Sequence, residues 1–356
     1  MPRIKIGVIG LGGIAGGVHL PGIEKCKDFE LTALCDIDRE KLDRMGDRYG
    51  IGESSRFTDY QDLISSPLVE AVDICTPNDC HFSMAMAAVK AGKHYAVEKP
   101  AAMNAGEAEA LARHTREAGV KNMVCFSYRF KTAVRYARHL VQSGALGELY
   151  HVYMQYLQGW GNPDLGVPLV WRFIKARAGS GALGDLGCHA LDLARFVTGR
   201  EYTKVVGDAD TYVKSRPLPG SSRTGPSDVD DYCHYLARME GGISAVFEIT
   251  RFGFGRGNFQ RLEIYGRKGA LVYKLDEKPG MDELELCVGQ PLGQLNTFAK
   301  VPVPPFYAAD QTQCFADLIR GKGDGLAAGI EDGLLNQKIL DAVVESFEQG
   351  RWVALP

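Results

Sequence analysis

Asp185 and His189 stand four residues apart in Gly184-Asp185-Leu186-Gly187-Cys188-His189. On a helix beginning near Leu183, that spacing puts both side chains on one face. A neutral imidazole, with a reference pKa of about 6.5, takes and returns a proton near neutrality. A carboxylate beside it can accept a hydrogen bond from a hydroxyl or orient the ring. The pair suits the removal of a proton from an alcohol as it becomes a carbonyl. The same local pattern also describes a helix cap followed by a packed histidine, and spacing alone does not choose between them. Lys99, in Val97-Glu98-Lys99-Pro100, follows a buried-strand candidate. In water its ammonium has a pKa of about 10.4, and burial lowers that value. Near a hydroxyl it would stabilise developing negative charge or join a proton relay. The alternative is a solvated lysine or a structural ion pair with Glu98, although neighbours on a strand point to opposite faces.

A second set of residues is fitted to a dinucleotide. Gly10-Leu11-Gly12-Gly13-Ile14-Ala15 forms a G-x-G-x-x-A turn directly after the strand candidate Arg3 to Ile9. Gly10 supports a tight turn, Gly12 allows close approach to a diphosphate, and Ala15 permits tight helix packing. The N–H groups of the following helix complement the diphosphate charge. Asp36 ends the second strand candidate, where a carboxylate accepts hydrogen bonds from ribose hydroxyls and repels a 2′-phosphate. NAD is therefore expected rather than NADP. Arg39 is a solvated charge, a packing stem or a phosphate contact.

The elements that must position these groups follow from periodicity. Apolar strand candidates alternate with helix candidates up to about residue 126: strands at 29–35, 71–75, 94–97 and 120–126, and helices at 15–25, 39–49, 81–91 and 105–118. Pro21 is expected to bend or shorten the first helix. This rhythm is that of a doubly wound α/β domain with a parallel sheet. Beyond Arg129 the pattern changes. A helix at 132–142 and a strand at 149–157 precede an irregular connection; then come helical spacing at 183–196 and strand candidates from 204 to 288. This describes an α+β domain with a broad, largely antiparallel open sheet. The interval 216–227 reads as a surface loop, and two helices close the chain near 308–320 and 330–348. The expected division is 1–126 for dinucleotide binding, 127–329 for substrate binding and oligomerisation, and 330–356 for a terminal helix packing back on the core.

Composition narrows the partners. Forty-one Lys+Arg against 44 Asp+Glu leave a formal charge of -3 on 356 residues, without basic arms or acidic tails. No nucleic-acid or membrane partner is expected. The nine dispersed cysteines lack a C-x-x-C signature. They read as reduced core residues in a cytoplasmic protein, and no metal site is expected.

Taken in order, the Gly10-to-Ala15 turn, Asp36, Cys75-Thr76-Pro77-Asn78 with His81, Glu98-Lys99-Pro100, Gly184-to-His189 and Glu331-Asp332-Gly333-Leu334 resemble the Gfo/Idh/MocA oxidoreductases, including their sugar and inositol dehydrogenases. The resemblance covers nearly the whole chain. It implies NAD bound by Gly10, Gly12, Gly13, Ile14, Asp36, Thr76, Asn78, His81, Glu98, Lys99 and Arg129, with a cis bond before Pro100. It implies hydride transfer between a secondary hydroxyl of a sugar or cyclitol and NAD. His189 would be the acid/base, Lys99 the electrostatic or relay group and Asp185 the orienting carboxylate, with Trp171 and Arg172 also against the substrate. Arg129 is equally an interdomain structural contact, and Trp171 and Arg172 are equally a core ring and a solvated charge. Tyr153, Gln155, Tyr156, Gln158 and Trp160 cannot all face one pocket, because a strand alternates. The resemblance further implies a homodimer or homotetramer. A redox-assisted glycosidase using NAD and a non-enzymatic NAD-responsive binding protein are the competing readings.

Overall fold

The computed structural model describes residues 2–276, 282–289 and 297–355. The chain divides into two compact units, Met1–Ser127 with Ala309–Gln337, and Tyr128–Ala308 with Lys338–Pro356. In chain order the first unit contains β1 (Ile4–Ile9), α1 (Leu20–Lys25), β2 (Phe29–Cys35), α2 (Arg39–Tyr49), β3 (Arg56–Phe57), α3 (Tyr60–Ser65), β4 (Ala71–Ile74), α4 (Asn78–Lys90), β5 (His94–Val97), α5 (Ala105–Ala118) and β6 (Asn122–Val124). Its strands are all parallel, in the order β3-β2-β1-β4-β5-β6. Continuous apolar runs make such strands, since a parallel sheet is covered on both faces; β4 is buried along its whole length.

The helix expected at 15–25 is in two pieces, a π-helical turn at Ala15–His19 and then α1. Pro21 falls in the first turn of α1, where its missing N–H leaves no helical bond unmade. Local chemistry fixes the other ends. The Asp38 carboxylate accepts from the N–H of Lys41 to start α2, and Gly50, at φ 67°, ends it. The strand expected at 120–126 shrinks to β6, and the short β3 and α3 carry too little periodicity to be read from sequence.

The second unit contains α6 (Thr132–Gln142), β7 (Leu149–Leu157), α7 (Lys175–Ala178), α8 (Cys188–Thr198), β8 (Tyr202–Asp210), β9 (Ser215–Pro217), β10 (Thr224–Pro226), β11 (Tyr232–Met239), β12 (Ile243–Thr250), β13 (Phe259–Gly266), β14 (Gly269–Leu275), β15 (Glu283–Val288) and β16 (Ala299–Lys300). The chain closes with α9 (Gln311–Ile319), α10 (Ile330–Gln349) and β17 (Val353–Ala354). A nine-stranded sheet runs β16-β15-β14-β13-β7-β12-β11-β8-β17, antiparallel except where β12 meets β7. In β11 and β12 buried residues alternate with more accessible ones, the signature of a sheet with one covered face. The helices α6 and α8 pack on each other and against β14 and β7, respectively. The interval read as a plain loop at 216–227 holds the strands of the small β9–β10 hairpin.

One grouping differs from the sequence expectation. Residues 309–329, assigned there to the second domain, fall within the first unit. Phe315 of α9 meets Phe29 at 5.7 Å between ring centroids, and the Gln313 amide donates to Asp28 at 2.7 Å. The N–H of Val124 reaches the Ala328 carbonyl at 2.9 Å, and the N–H of Ile330 reaches the Asn122 side chain at 2.6 Å. The apolar stripe of α9 showed in the sequence that it must pack, but not against what. The terminal helix α10 begins in the first unit and ends in the second.

Candidate active site

The strand order of the parallel sheet reverses between β1 and β4, the position where such sheets bind ligands. Gly10 ends β1 there at φ 87°, and a Cβ on it would lie 2.8 Å from the Cys75 carbonyl oxygen and from Thr76 Cγ2. No other residue type fits this turn without moving backbone. A Cβ on Gly12 or Gly13 would meet nothing within 4 Å. Their main chain thus borders open space of the kind a diphosphate fills, while Ala15 is fully buried behind it. Asp36 clamps the turn from β2: its carboxylate accepts from Leu11 N–H at 2.7 Å and Asp38 N–H at 2.9 Å, with Lys41 Nζ at 3.3 Å. Arg39 pairs on the surface with Asp43 and Glu53, so the cation at Asp36 is Lys41, which sequence reasoning did not weigh.

Thr76 and Asn78 follow β4, with Asn78 the buried first residue of α4. His81 does not behave as a cofactor contact. It is fully buried, with Nδ1 2.7 Å from the Pro100 carbonyl and Nε2 2.9 Å from the Thr76 carbonyl. Burial pushes its pKa below the ordinary 6.5, against the pull of those two carbonyls. Its role is to tie the loop after β4 to the loop after β5. Glu98 and Lys99 follow β5, the Lys99–Pro100 bond is cis, and Lys99 N–H donates to Glu98 Oε2 at 3.3 Å.

The second unit gathers a different set. Asp185 lies in a π-helical turn, Leu183–Gly187, that runs into α8, and His189 is the second residue of α8. The buried Asp230 carboxylate accepts from the N–H groups of Gly181 and Leu183, fixing the start of this segment. Two guanidinium groups flank Asp185 Oδ2, Arg251 Nε at 3.6 Å and Arg172 Nε at 3.9 Å. Arg172 lies over the Trp171 ring at 4.3 Å, so the structure brings Trp171, Arg172 and Asp185 together. The His189 ring packs edge-on against Tyr128 at 4.8 Å, with Tyr156 at 6.2 Å. The two phenol oxygens are 2.5 Å apart, so one donates to the other, and Asn258 Oδ1, 3.1 Å from Tyr128 and 2.8 Å from Tyr156, accepts from the hydroxyl whose proton is left. Gln158 also donates to Asn258, at 2.9 Å, and Trp160 Nε1 donates to Gln158 at 2.7 Å. Burial, then the neighbouring Tyr128 and Asp185, pushes the Tyr156 pKa well above 10, so it remains a donor.

Both units match known sequences. The profile of the oxidoreductase family with an NAD-binding Rossmann fold covers residues 4–126, and that of the GFO/IDH/MocA C-terminal domain covers residues 134–272. The levoglucosan dehydrogenase of Pseudarthrobacter phenanthrenivorans is 30% identical over 100% of this chain and 99% of its own. The chain belongs to the Gfo/Idh/MocA oxidoreductase family. The myo-inositol 2-dehydrogenase of Thermotoga maritima is 28% identical over 75% of this chain and 74% of its own. The solved structure of a levoglucosan dehydrogenase in complex with NADH superposes with a TM-score of 0.89 at 30% identity, covering 99% of both chains.

In this Gfo/Idh/MocA chain the expectation for Arg129 changes. Its Nε and Nη2 grip both oxygens of Asp192 at 2.8 and 2.5 Å, both residues are buried within the second unit, and the guanidinium lies 4.9 Å over Phe196. That is a structural ion pair, and it commits the group expected to reach a cofactor. Strand alternation sorts the aromatic segment: Tyr156 shares the buried face with Val152 and Met154, whereas Tyr153 and Gln155 take the opposite face. Sequence reasoning named neither Tyr128, Asn258, Asp230 nor Arg251 for the site. Arg251 is fully buried and carried no local signal; its partner Asp185 is far away in the chain.

Proposed function

We propose that this chain oxidises a secondary hydroxyl of a sugar or cyclitol, with NAD as the hydride acceptor. The observation that carries this reading is Asp185 and His189 at the start of one helix, the carboxylate flanked by Arg172 and Arg251 and the imidazole held edge-on by Tyr128. Bound NAD⁺ supplies an acceptor for the hydride leaving the carbinol carbon. His189 takes the hydroxyl proton as the carbonyl forms. Asp185 accepts a substrate hydrogen bond and orients the reacting hydroxyl. Lys99 stabilises developing negative charge on the oxygen. Trp171 and Arg172 present apolar area and donors suited to a sugar ring. Gly10, Gly12, Gly13, Ile14 and Asp36 hold the dinucleotide, and the Asp36 carboxylate disfavours a 2′-phosphate.

We further propose a cytoplasmic homo-oligomer. In support, seven of the nine cysteines are buried in the core, and among the described residues no helix is long and apolar enough to cross a membrane. The open face of the nine-stranded sheet carries a trough of about 660 Å³ lined by Tyr153, Gln155, Glu248, Arg261 and Tyr265, a surface suited to a second copy; light scattering reads the stoichiometry.

The function is tested by a panel of anhydrosugars, aldoses and inositols with NAD and NADP, following both NADH and product. Net NADH with a ketone product is expected. Turnover with NADP alone would remove the role given to Asp36. Sugar release without net NADH would favour the glycosidase.

A further inference from the structure

The helix that follows the glycine turn and the segment that carries Lys99 are joined through one side chain. His19 is the last residue of the π-helical turn Ala15–His19 and is 4% exposed. Its Nδ1 lies 2.7 Å from Asp73 Oδ2 on β4, and its Nε2 lies 3.0 Å from Glu98 Oε1, directly after β5. The other oxygen of Glu98 accepts from the N–H of Lys99. Two carboxylate acceptors on one ring require two N–H donors, which only the imidazolium offers. Burial pushes the pKa down, but the charge of the Asp73 carboxylate and its hydrogen bond to the ring act against it, and the pKa is held well above 6.5. The thiols around the ring stay protonated: burial pushes Cys75 up to about 12 and Cys125 well above the ordinary thiol value. Gln311 and Thr312 of α9 close a void of about 10 Å³ against His19 and Asp73, roughly the room of one water.

A buried carboxylate–imidazolium–carboxylate array is a poor way to stabilise a fold, because desolvation offsets its attraction. It is an effective way to fix an orientation. We propose that His19 is a positioning residue for Lys99: it fixes Glu98, and through Glu98 the turn bearing Lys99, to the helix that begins at the dinucleotide turn. The inference rests on the reading that Lys99 acts on the substrate hydroxyl.

The test compares His19→Gln, whose amide reaches the Nε2 position and keeps a donor on Glu98, with His19→Asn, which keeps only the Asp73 side. Thermal melts and NADH titration accompany steady-state kinetics on the full chain. His19→Asn is expected to lose about 10- to 100-fold in kcat, the range typical of groups that orient an acting residue. Its sugar KM and NADH affinity should stay within about threefold, and His19→Gln should recover most of the loss. Equal losses in both variants that track their melting temperatures would overturn the proposal, as would a His19→Asn kcat within about threefold of the parent. So would one zinc per purified chain, since His19, Asp73 and Cys125 place donor atoms within 4.8 Å of one another. Should His19→Asn fail to fold, Asp73→Asn carries the test. It leaves the Glu98 contact but removes the main charge facing the ring, among Asp73, Glu98, Cys75 and Cys125. The alkaline limb of kcat should then move down by at least about one pH unit, and an unmoved limb would overturn the idea. Lys99→Ala separates the two claims. Full activity there sinks the role of Lys99 itself, whereas an inactive Lys99→Ala beside a fully active His19→Asn sinks only the positioning role.

Discussion

In the first unit, the groups fitted to a dinucleotide come largely from main chain in contiguous runs, with Gly10 to Ala15 closed by the single carboxylate of Asp36. In the second unit, the groups around His189 and Asp185 are side chains drawn from residues as far apart as Tyr128 and Asn258. A site made from backbone tolerates few residue types and leaves a pattern in sequence. A site made from side chains depends on sheet register and leaves almost none.

Substitutions should fall on opposite sides of this contrast. The largest effect is expected for His189→Ala, a loss of about 10²–10⁴ in kcat/KM, as for removal of a general acid/base, with NADH affinity within about threefold. Unchanged turnover would leave the second unit without its proposed chemistry. Next is Arg129→Ala, which strands the buried Asp192 carboxylate. It should cost about 3–5 kcal/mol in urea unfolding, with NADH affinity unchanged once the variant is folded. A selective loss of cofactor affinity would restore Arg129 to the dinucleotide site.

Within the first unit, Gly10→Ala and Gly12→Ala should separate. At Gly10 the new methyl meets the Cys75 carbonyl on a left-handed backbone, and stability should fall by about 1 kcal/mol or more. At Gly12 the methyl enters open space, so stability should hold within about 0.5 kcal/mol while NADH binding weakens roughly tenfold, read by calorimetry. Similar behaviour of the two would erase the distinction between turn geometry and ligand approach. The smallest effect concerns pH. The folded pKa of His19 is raised, so its contribution to stability is complete below its unfolded value of about 6.5 and is lost as pH rises through the higher folded value. Melting temperature should therefore decline on the alkaline side more in the parent than in His19→Asn.

The parallel sheet, the glycine turn and Asp36 were legible because periodicity and main-chain geometry dictate them. Asp185 and His189 were visible as a pair, although the π-helical turn at Leu183–Gly187 means that simple α-helical spacing does not describe how they are set. The neighbours of His189 were hidden, because Asn258 reaches Tyr156 only through the β7–β13 pairing that sets Tyr156 opposite Gln260. Arg129 looked like a boundary residue since Asp192, its partner, lies 63 positions away. His81 looked like a ligand because two backbone carbonyls leave no trace in sequence. His19 had a usable signal that was not read: Asp73 is a carboxylate inside the fully buried strand Ala71–Ile74, and such a residue implies a buried partner.

The central claim is hydride transfer from a carbinol carbon, and isotope transfer tests it directly. With a sugar or cyclitol substrate deuterated at the oxidised ring carbon, mass spectrometry should find one deuterium in the NADH formed, in equal amount to the ketone. Deuterium appearing in solvent, or carbonyl product without labelled NADH, would contradict it.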